Sequence, residues 1–130
     1  MKRLVVLDTN VIVSALKSPN GTPAMILNRF FDGEIQICCG KDIFSEYEDV
    51  LLRPELKIDP EKAISFLEIV KELSFLTNPP ASKIDLPDED DRIFYDTAKN
   101  NGAILITGNI KHFPDEDFIM APRHFFESEW

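Results

Sequence analysis

Leu4-Val5-Val6-Leu7 is apolar without interruption, and the chain then turns polar at once with Asp8-Thr9-Asn10. A short run with no polar alternation reads as a strand covered on both faces, as in a parallel sheet. The three polar residues are good helix starters, and a helix is expected over Val11 to Lys17. Ser18-Pro19-Asn20-Gly21 reads as a turn. Helical spacing returns with Met25, Ile26, Arg29 and Phe30 on one side, and Asp32-Gly33 stops it. Ile35 to Cys39 forms a second apolar run, closed by Gly40. From Lys41 to Arg53 the positions Ile43, Phe44, Tyr47, Val50 and Leu51 follow the 3.6-residue period, and Arg53-Pro54 ends that helix. Asp59-Pro60-Glu61 opens another, with Asp at the cap, Pro at the first position and acid in the first turn. It carries Ala63, Ile64, Phe66, Leu67, Val70 and Leu73.

Asn78-Pro79-Pro80 and Leu86-Pro87 bound an extended connector. Asp88 is placed to cap a helix running to about Asn100, with Ile93, Phe94, Thr97 and Ala98 facing inward. Asn101-Gly102 stops that helix, and Ala103 to Ile106 is a further buried strand. Beyond Pro114 the pattern predicts one short strand near Phe118 to Met120 and a terminal helix. Apolar strands alternating with helices indicate an α/β fold, a three-layer α/β/α sandwich around a central, mainly parallel sheet. Ligands of such sheets bind beyond the carboxyl ends of the strands, so the residues after each strand are the first candidates for chemistry.

Length and composition add that residues 1–130 form one domain with one core: 44% of the chain is apolar and ten residues are Phe. There is no repeat, low-complexity tract or flexible linker. The first apolar run is too short for a signal peptide, and no segment nears the roughly 20 apolar residues that span a bilayer. A soluble, cytoplasmic protein is expected. Cys38 and Cys39 are strand neighbours pointing to opposite faces, a poor geometry for a bridge, and read as two buried thiols in a reducing compartment.

Two polar triplets end two buried strands: Asp8-Thr9-Asn10 and Thr107-Gly108-Asn109. Glu46 lies about a quarter-turn off the apolar stripe of its helix, from where a carboxylate can lean toward the sheet's end; Glu48 is nearly as well placed on the other flank. Asp88-Glu89-Asp90-Asp91 puts four acids at a helix start, where one or two suffice for the dipole and the rest repel one another. A divalent cation relieves that repulsion. Carboxylates with no His or Cys cluster suit Mg²⁺ or Mn²⁺, and such an ion activates water against a phosphoryl centre. The residues alone point to a metal-assisted phosphoryl or phosphodiester hydrolase without choosing between them.

At these positions the sequence resembles the PIN-domain family, specifically its small bacterial and archaeal toxin-like members, over nearly its whole length. The opening Leu4-Val5-Val6-Leu7-Asp8-Thr9-Asn10-Val11 is similar to the family's first strand and aspartate. Ser45-Glu46 through Val50-Leu51-Leu52-Arg53 is similar to the helix carrying its acid, which selects Glu46 over Glu48. Asp88 to Asp91, followed by Phe94 and Ala98, resembles the third motif and selects Asp91 over Asp88 and Asp90. Ile104 to Asn109, then His112-Phe113-Pro114, resembles the closing motif.

The resemblance implies a metal-dependent ribonuclease of the toxin–antitoxin class. Asp8 and Asp91 would bind Mg²⁺ or Mn²⁺ directly, and Glu46 would bind it or orient the attacking water. Thr107 and Asn109 would support that water or a phosphate, Asn10 would orient Asp8, and Asp88 would support the site. Many members carry a fourth acid where this chain has Asn109, which adds no charge, so one firmly bound ion is expected. The resemblance also implies a homodimer and a small antitoxin protein that occupies the active-site groove.

A net charge of −9 opposes nucleic-acid binding, so the phosphates need local cations. Lys41, Arg53, Arg92, Lys111 and His112 are the candidates, and RNA affinity is expected to be weak and salt-sensitive. Three rivals fit less well. A receiver domain needs an acidic pair after its first strand and a phospho-accepting aspartate mid-chain, and a haloacid-dehalogenase-like phosphatase needs an acid where Asn10 stands. A catalytically inactive PIN-fold binding module would not need Asp8, Glu46 and Asp91 together.

Overall fold

The computed structural model describes residues 3–128, with Phe75 and Leu76 described by their backbone alone. Strand β1 (Arg3–Leu7) leads into α1 (Thr9–Lys17) and α2 (Thr22–Phe31), and β2 (Ile35–Cys39) into α3 (Lys41–Leu51) and α4 (Pro60–Leu73). A two-residue β3 (Phe75–Leu76) precedes the connector. Then come α5 (Arg92–Asn101), β4 (Ile104–Ile106), β5 (Ile119–Met120) and α6 (Pro122–Glu127). All strand pairs are parallel, in the order β3-β2-β1-β4-β5, so β1 is central and pairs with β2 at Val5–Ile37 and with β4 at Val5–Ile104. Helices flank this sheet as the α/β/α reading requires. No helix among the described residues is long and apolar enough to cross a membrane.

The apolar runs become the core: Val5, Val6, Leu7, Ile37, Leu105 and Ile106 are all fully buried. Cys38 and Cys39 are buried free thiols, and burial pushes them up to about 11 and about 12, far from the reactive range. Two details depart from the periodicity. The covered face of α2 is Ala24, Ile26, Leu27 and Phe30, while Met25 is 40% exposed, because the stripe turns by one position toward Leu27. The strand β3 had no counterpart in the pattern, since two residues carry no period.

The end of β2 lies hard against the end of β3. A Cβ on Gly40 would come within 2.1 Å of the Thr77 carbonyl oxygen, and the Lys41 amide donates to Asn78 Oδ1. Beyond β3 the connector is strapped to α5. Arg92 donates to the Ser82 carbonyl and hydroxyl and to the Ile84 carbonyl, while the Ser82 amide donates to buried Asp96. This strapping fixes where α5 begins, and therefore where its leading acid sits.

Candidate active site

Asp8 continues β1 by one residue, its amide donating to the Ile106 carbonyl at 3.0 Å. It occupies the N-cap position of α1 in extended conformation, yet its side chain does not cap the helix. The carboxylate is buried, 7% exposed, and its Oδ2 accepts from Thr107 Oγ1 at 2.8 Å and from Asn10 Nδ2 at 3.2 Å. Asn10 Oδ1 in turn accepts from the Gly108 amide, and Thr107 Oγ1 from the Asn109 amide, each at 3.0 Å. The two polar triplets therefore form one network across the ends of β1 and β4, with Asp8 at its centre. Asn109 joins it through its backbone, and its own side chain lies at an exposed position.

Helix α3 brings in the second carboxylate. Ile43 and Tyr47 bury against the core, and the Tyr47 hydroxyl donates to the Leu7 carbonyl at 2.5 Å, pinning α3 to the last residue of β1. One residue earlier, Glu46 Oε2 accepts from Thr9 Oγ1 at 2.5 Å. Glu48 is exposed on the other flank. Thr9 thus bridges from the first strand's end to Glu46. The sequence placed Thr9 in the first polar triplet without giving it a role of its own, although its position directly after a buried aspartate was a usable clue.

The four-acid run divides its labour. Asp88 Oδ1 caps the Asp90 amide and opens a single 3-10 turn, Glu89–Asp91, rather than α5 itself. Glu89 pairs with Arg92 at 2.6 Å, and Asp90 is exposed. Asp91, at the junction with α5, makes no cap bond; its side chain is 15% exposed, and its Oδ2 is buried without a hydrogen-bond partner. His112 Nδ1 lies 3.6 Å from it.

The electrostatics of the three acids agree. Burial raises Asp8, against the pull of the Thr107 hydroxyl. Burial also raises Glu46, the Thr9 bond lowers it, and the charges of Asp8 and Asp90 add to the rise. Asp91 is pushed up to about 6, first by burial and then by the charges of Asp8 and Asp88, with Glu46 contributing. The Asp8 charge raises both Glu46 and Asp91, and Glu46 raises Asp91, so the three carboxylates act on one another across one crevice, with only partial relief from His112 and Arg53.

That is an environment suited to a cation. Among the described residues, no three acidic, His or Cys side chains close into a cage of their own. An ion would rest on Asp8 and the unpartnered Asp91 oxygen and keep several waters, as Mg²⁺ commonly does. The donor set is all oxygen, which fits Mg²⁺ or Mn²⁺.

Of the cations expected to meet phosphate, Arg92 is withdrawn. Its guanidinium is consumed by Ser82, Ile84 and both Glu89 oxygens, so it anchors the connector instead. Arg53 pairs with Asp49 at 2.7 Å. Lys41 is exposed at the start of α3, and Lys111 and His112 are exposed on the loop after β4.

The chain is 34% identical over 112 residues to an uncharacterized protein of Methanocaldococcus jannaschii, covering 84% of this chain and 72% of that one. The sequence profile of the PIN domain matches residues 4–111, a span that holds both polar triplets, Glu46 and Asp91. The chain therefore belongs to the PIN-domain family, whose members are in general nucleases.

Proposed function

We propose that this protein is a metal-dependent endoribonuclease that hydrolyses RNA phosphodiester bonds at the Asp8–Glu46–Asp91 crevice. The observation that carries the reading is the Asp91 Oδ2 atom, buried and unpartnered beside two other raised carboxylates. An unpaired buried acceptor costs about 1–3 kcal/mol, and of the three such atoms among the described residues, with Ser74 Oγ and Asp96 Oδ1, it is the one grouped with these carboxylates.

In this reading Asp8 and Asp91 hold one Mg²⁺ or Mn²⁺. When bound, the ion supplies Lewis-acid polarisation of the phosphoryl oxygen and a lowered pKa for nearby water. Thr107 and Asn10 fix the Asp8 carboxylate by bonding its Oδ2. Thr9 fixes Glu46 through Oε2, so the other oxygen can take the proton of the attacking water as its oxygen bonds to phosphorus and the leaving oxygen departs. A carboxylate raised by burial is a better proton acceptor near neutral pH than an exposed one.

The finer assignment follows the resemblance to small toxin-like members: a type II toxin, homodimeric, cytoplasmic and held in check by an antitoxin protein. The deciding experiment incubates purified protein with an RNA pool, with and without Mg²⁺ or Mn²⁺, beside Asp8→Asn and Asp91→Asn. Metal-dependent cleavage lost in both variants is expected. Cleavage without metal, or surviving both substitutions, refutes the mechanism. Cleavage by no form of a folded, inhibitor-free protein would instead favour a binding module.

A further inference from the structure

The loop after β4 builds a second feature beside the carboxylates. Gly108, Asn109, Ile110, Lys111 and His112, with Ala121 at the end of β5, line an open cleft of about 350 Å³. The loop is rigid by construction. The His112 amide donates to the Asn109 carbonyl, the Phe113 amide donates to the Ile110 carbonyl, and buried Phe113 anchors the segment in the core. It is also tied to each aspartate of the crevice. Asn109 bonds Thr107, which bonds Asp8, and His112 approaches Asp91. His112 therefore lines the cleft and also borders the crevice.

Its lining is unlike the crevice. Ile110 is 42% exposed, a large apolar side chain open to solvent on this loop. Lys111 is exposed and, among the described residues, makes no ion pair, whereas Arg92 and Arg53 are both engaged with carboxylates. In a chain of net charge −9, this rim offers an anion a lysine and an imidazole next to the acids. An apolar wall with an uncommitted cation at one side matches a nucleotide: the base against the wall, the phosphate on the cation.

We infer that this cleft seats one nucleotide flanking the scissile phosphate of a single-stranded RNA, with its base against Ile110 and Ala121 and its phosphate on Lys111. The inference rests on the nuclease reading above and adds the side of the crevice along which the strand runs. It also assigns Ile110 and Lys111 as binding residues that leave the chemical step alone.

The test uses the full chain with Mn²⁺ and a single-stranded RNA whose cut position has been mapped. Two further substrates lack the base immediately to one side or the other of the cut. For the native protein, one of these abasic RNAs should raise KM roughly five- to tenfold with kcat within about twofold. Ile110→Ala should raise KM for intact RNA by a similar factor and erase the penalty of that abasic substrate, the non-additivity expected of two groups in contact. Lys111→Ala should raise KM for all three RNAs alike and lower the salt slope of binding by about one. Equal KM for all three RNAs with the native protein overturns the inference and leaves the nuclease reading standing. So does a full abasic penalty in Ile110→Ala. No cleavage of any RNA by the native protein overturns both.

Discussion

Asp91 offers the sharpest test, because the group thought to serve the site should weaken the fold when no cation is present. Its carboxyl is raised from 3.8 to about 6, first by burial and then by Asp8 and Asp88. A raised acid binds its proton more tightly folded than unfolded. Below about pH 4 both states are protonated and nothing is lost; stability then falls as pH rises toward 6, and the loss is complete above it. At about 1.4 kcal/mol per pH unit, the ceiling of that loss is about 3 kcal/mol. Asp91→Asn removes the charge at nearly constant shape and also relieves Asp8 and Glu46 of a like-charged neighbour. Discounting for the amide that remains buried, the variant should be more stable than the native protein by about 2 kcal/mol at pH 7.5 in EDTA, or about 7 °C in Tm. At pH 4 the two should unfold together. Mn²⁺ at a hundredfold excess over its Kd should stabilise the native protein by about 3 kcal/mol and the variant hardly at all, reversing the order. Thermal and urea unfolding across these conditions reads every term. A variant less stable than native in EDTA at pH 7.5 would refute the reasoning. A gap unchanged at pH 4, or equal stabilisation of both proteins by Mn²⁺, would do the same.

Thr9→Val removes the hydroxyl that lowers Glu46, so the acid limb of the pH profile of kcat should move upward while KM stays within twofold; an unmoved limb would remove Thr9 from the site. Arg92→Met unstraps the connector and should lower stability by about 2–4 kcal/mol in urea unfolding, with residues 77–88 becoming sensitive to limited proteolysis. Arg92→Lys should rescue little of this, because one ammonium cannot replace a guanidinium that reaches two carbonyls and a carboxylate. Gly40→Ala forces a methyl against the Thr77 carbonyl and should lose at least about 2 kcal/mol, visible as a shift in the urea midpoint.

Where one face of an element alternates with solvent or where a run is wholly apolar, the chain announced its structure. The bounds of β1, β2 and α3 emerge from Leu4–Leu7, Ile35–Cys39 and the Ile43–Tyr47–Leu51 stripe almost as they stand. The strand β3 could not be seen, because Phe75 and Leu76 owe their conformation to pairing with Cys38 and Cys39, a contact nearly forty residues distant. The same division holds at the site. Asp8 is placed by its own strand, so its position was legible locally. Choosing Asp91 within a run of four acids needed the family's spacing, because what separates it from Asp88 and Asp90 is local geometry that a run of like residues does not spell out: a cap on Asp90, a pairing of Glu89 with Arg92 and a 3-10 turn that ends at Asp91. Arg92 was misread for the same reason. Nothing in Asp-Asp-Arg-Ile tells that the guanidinium folds back over the connector.

These two facts about adjacent residues belong together. A guanidinium beside Asp91 would be the cheapest way to stabilise it, and Arg92 is one residue away. The chain instead directs Arg92 to Ser82, Ile84 and Glu89, and leaves Asp91 with an imidazole at 3.6 Å and an unpartnered oxygen. A bidentate arginine on that carboxylate would satisfy it and, by the same bonds, occupy the position a cation needs. The connector strap therefore does two things at once: it sets the start of α5 and keeps the Arg92 guanidinium off the Asp91 carboxylate. In the proposed site the phosphate is met instead by Lys111, exposed on the loop after β4.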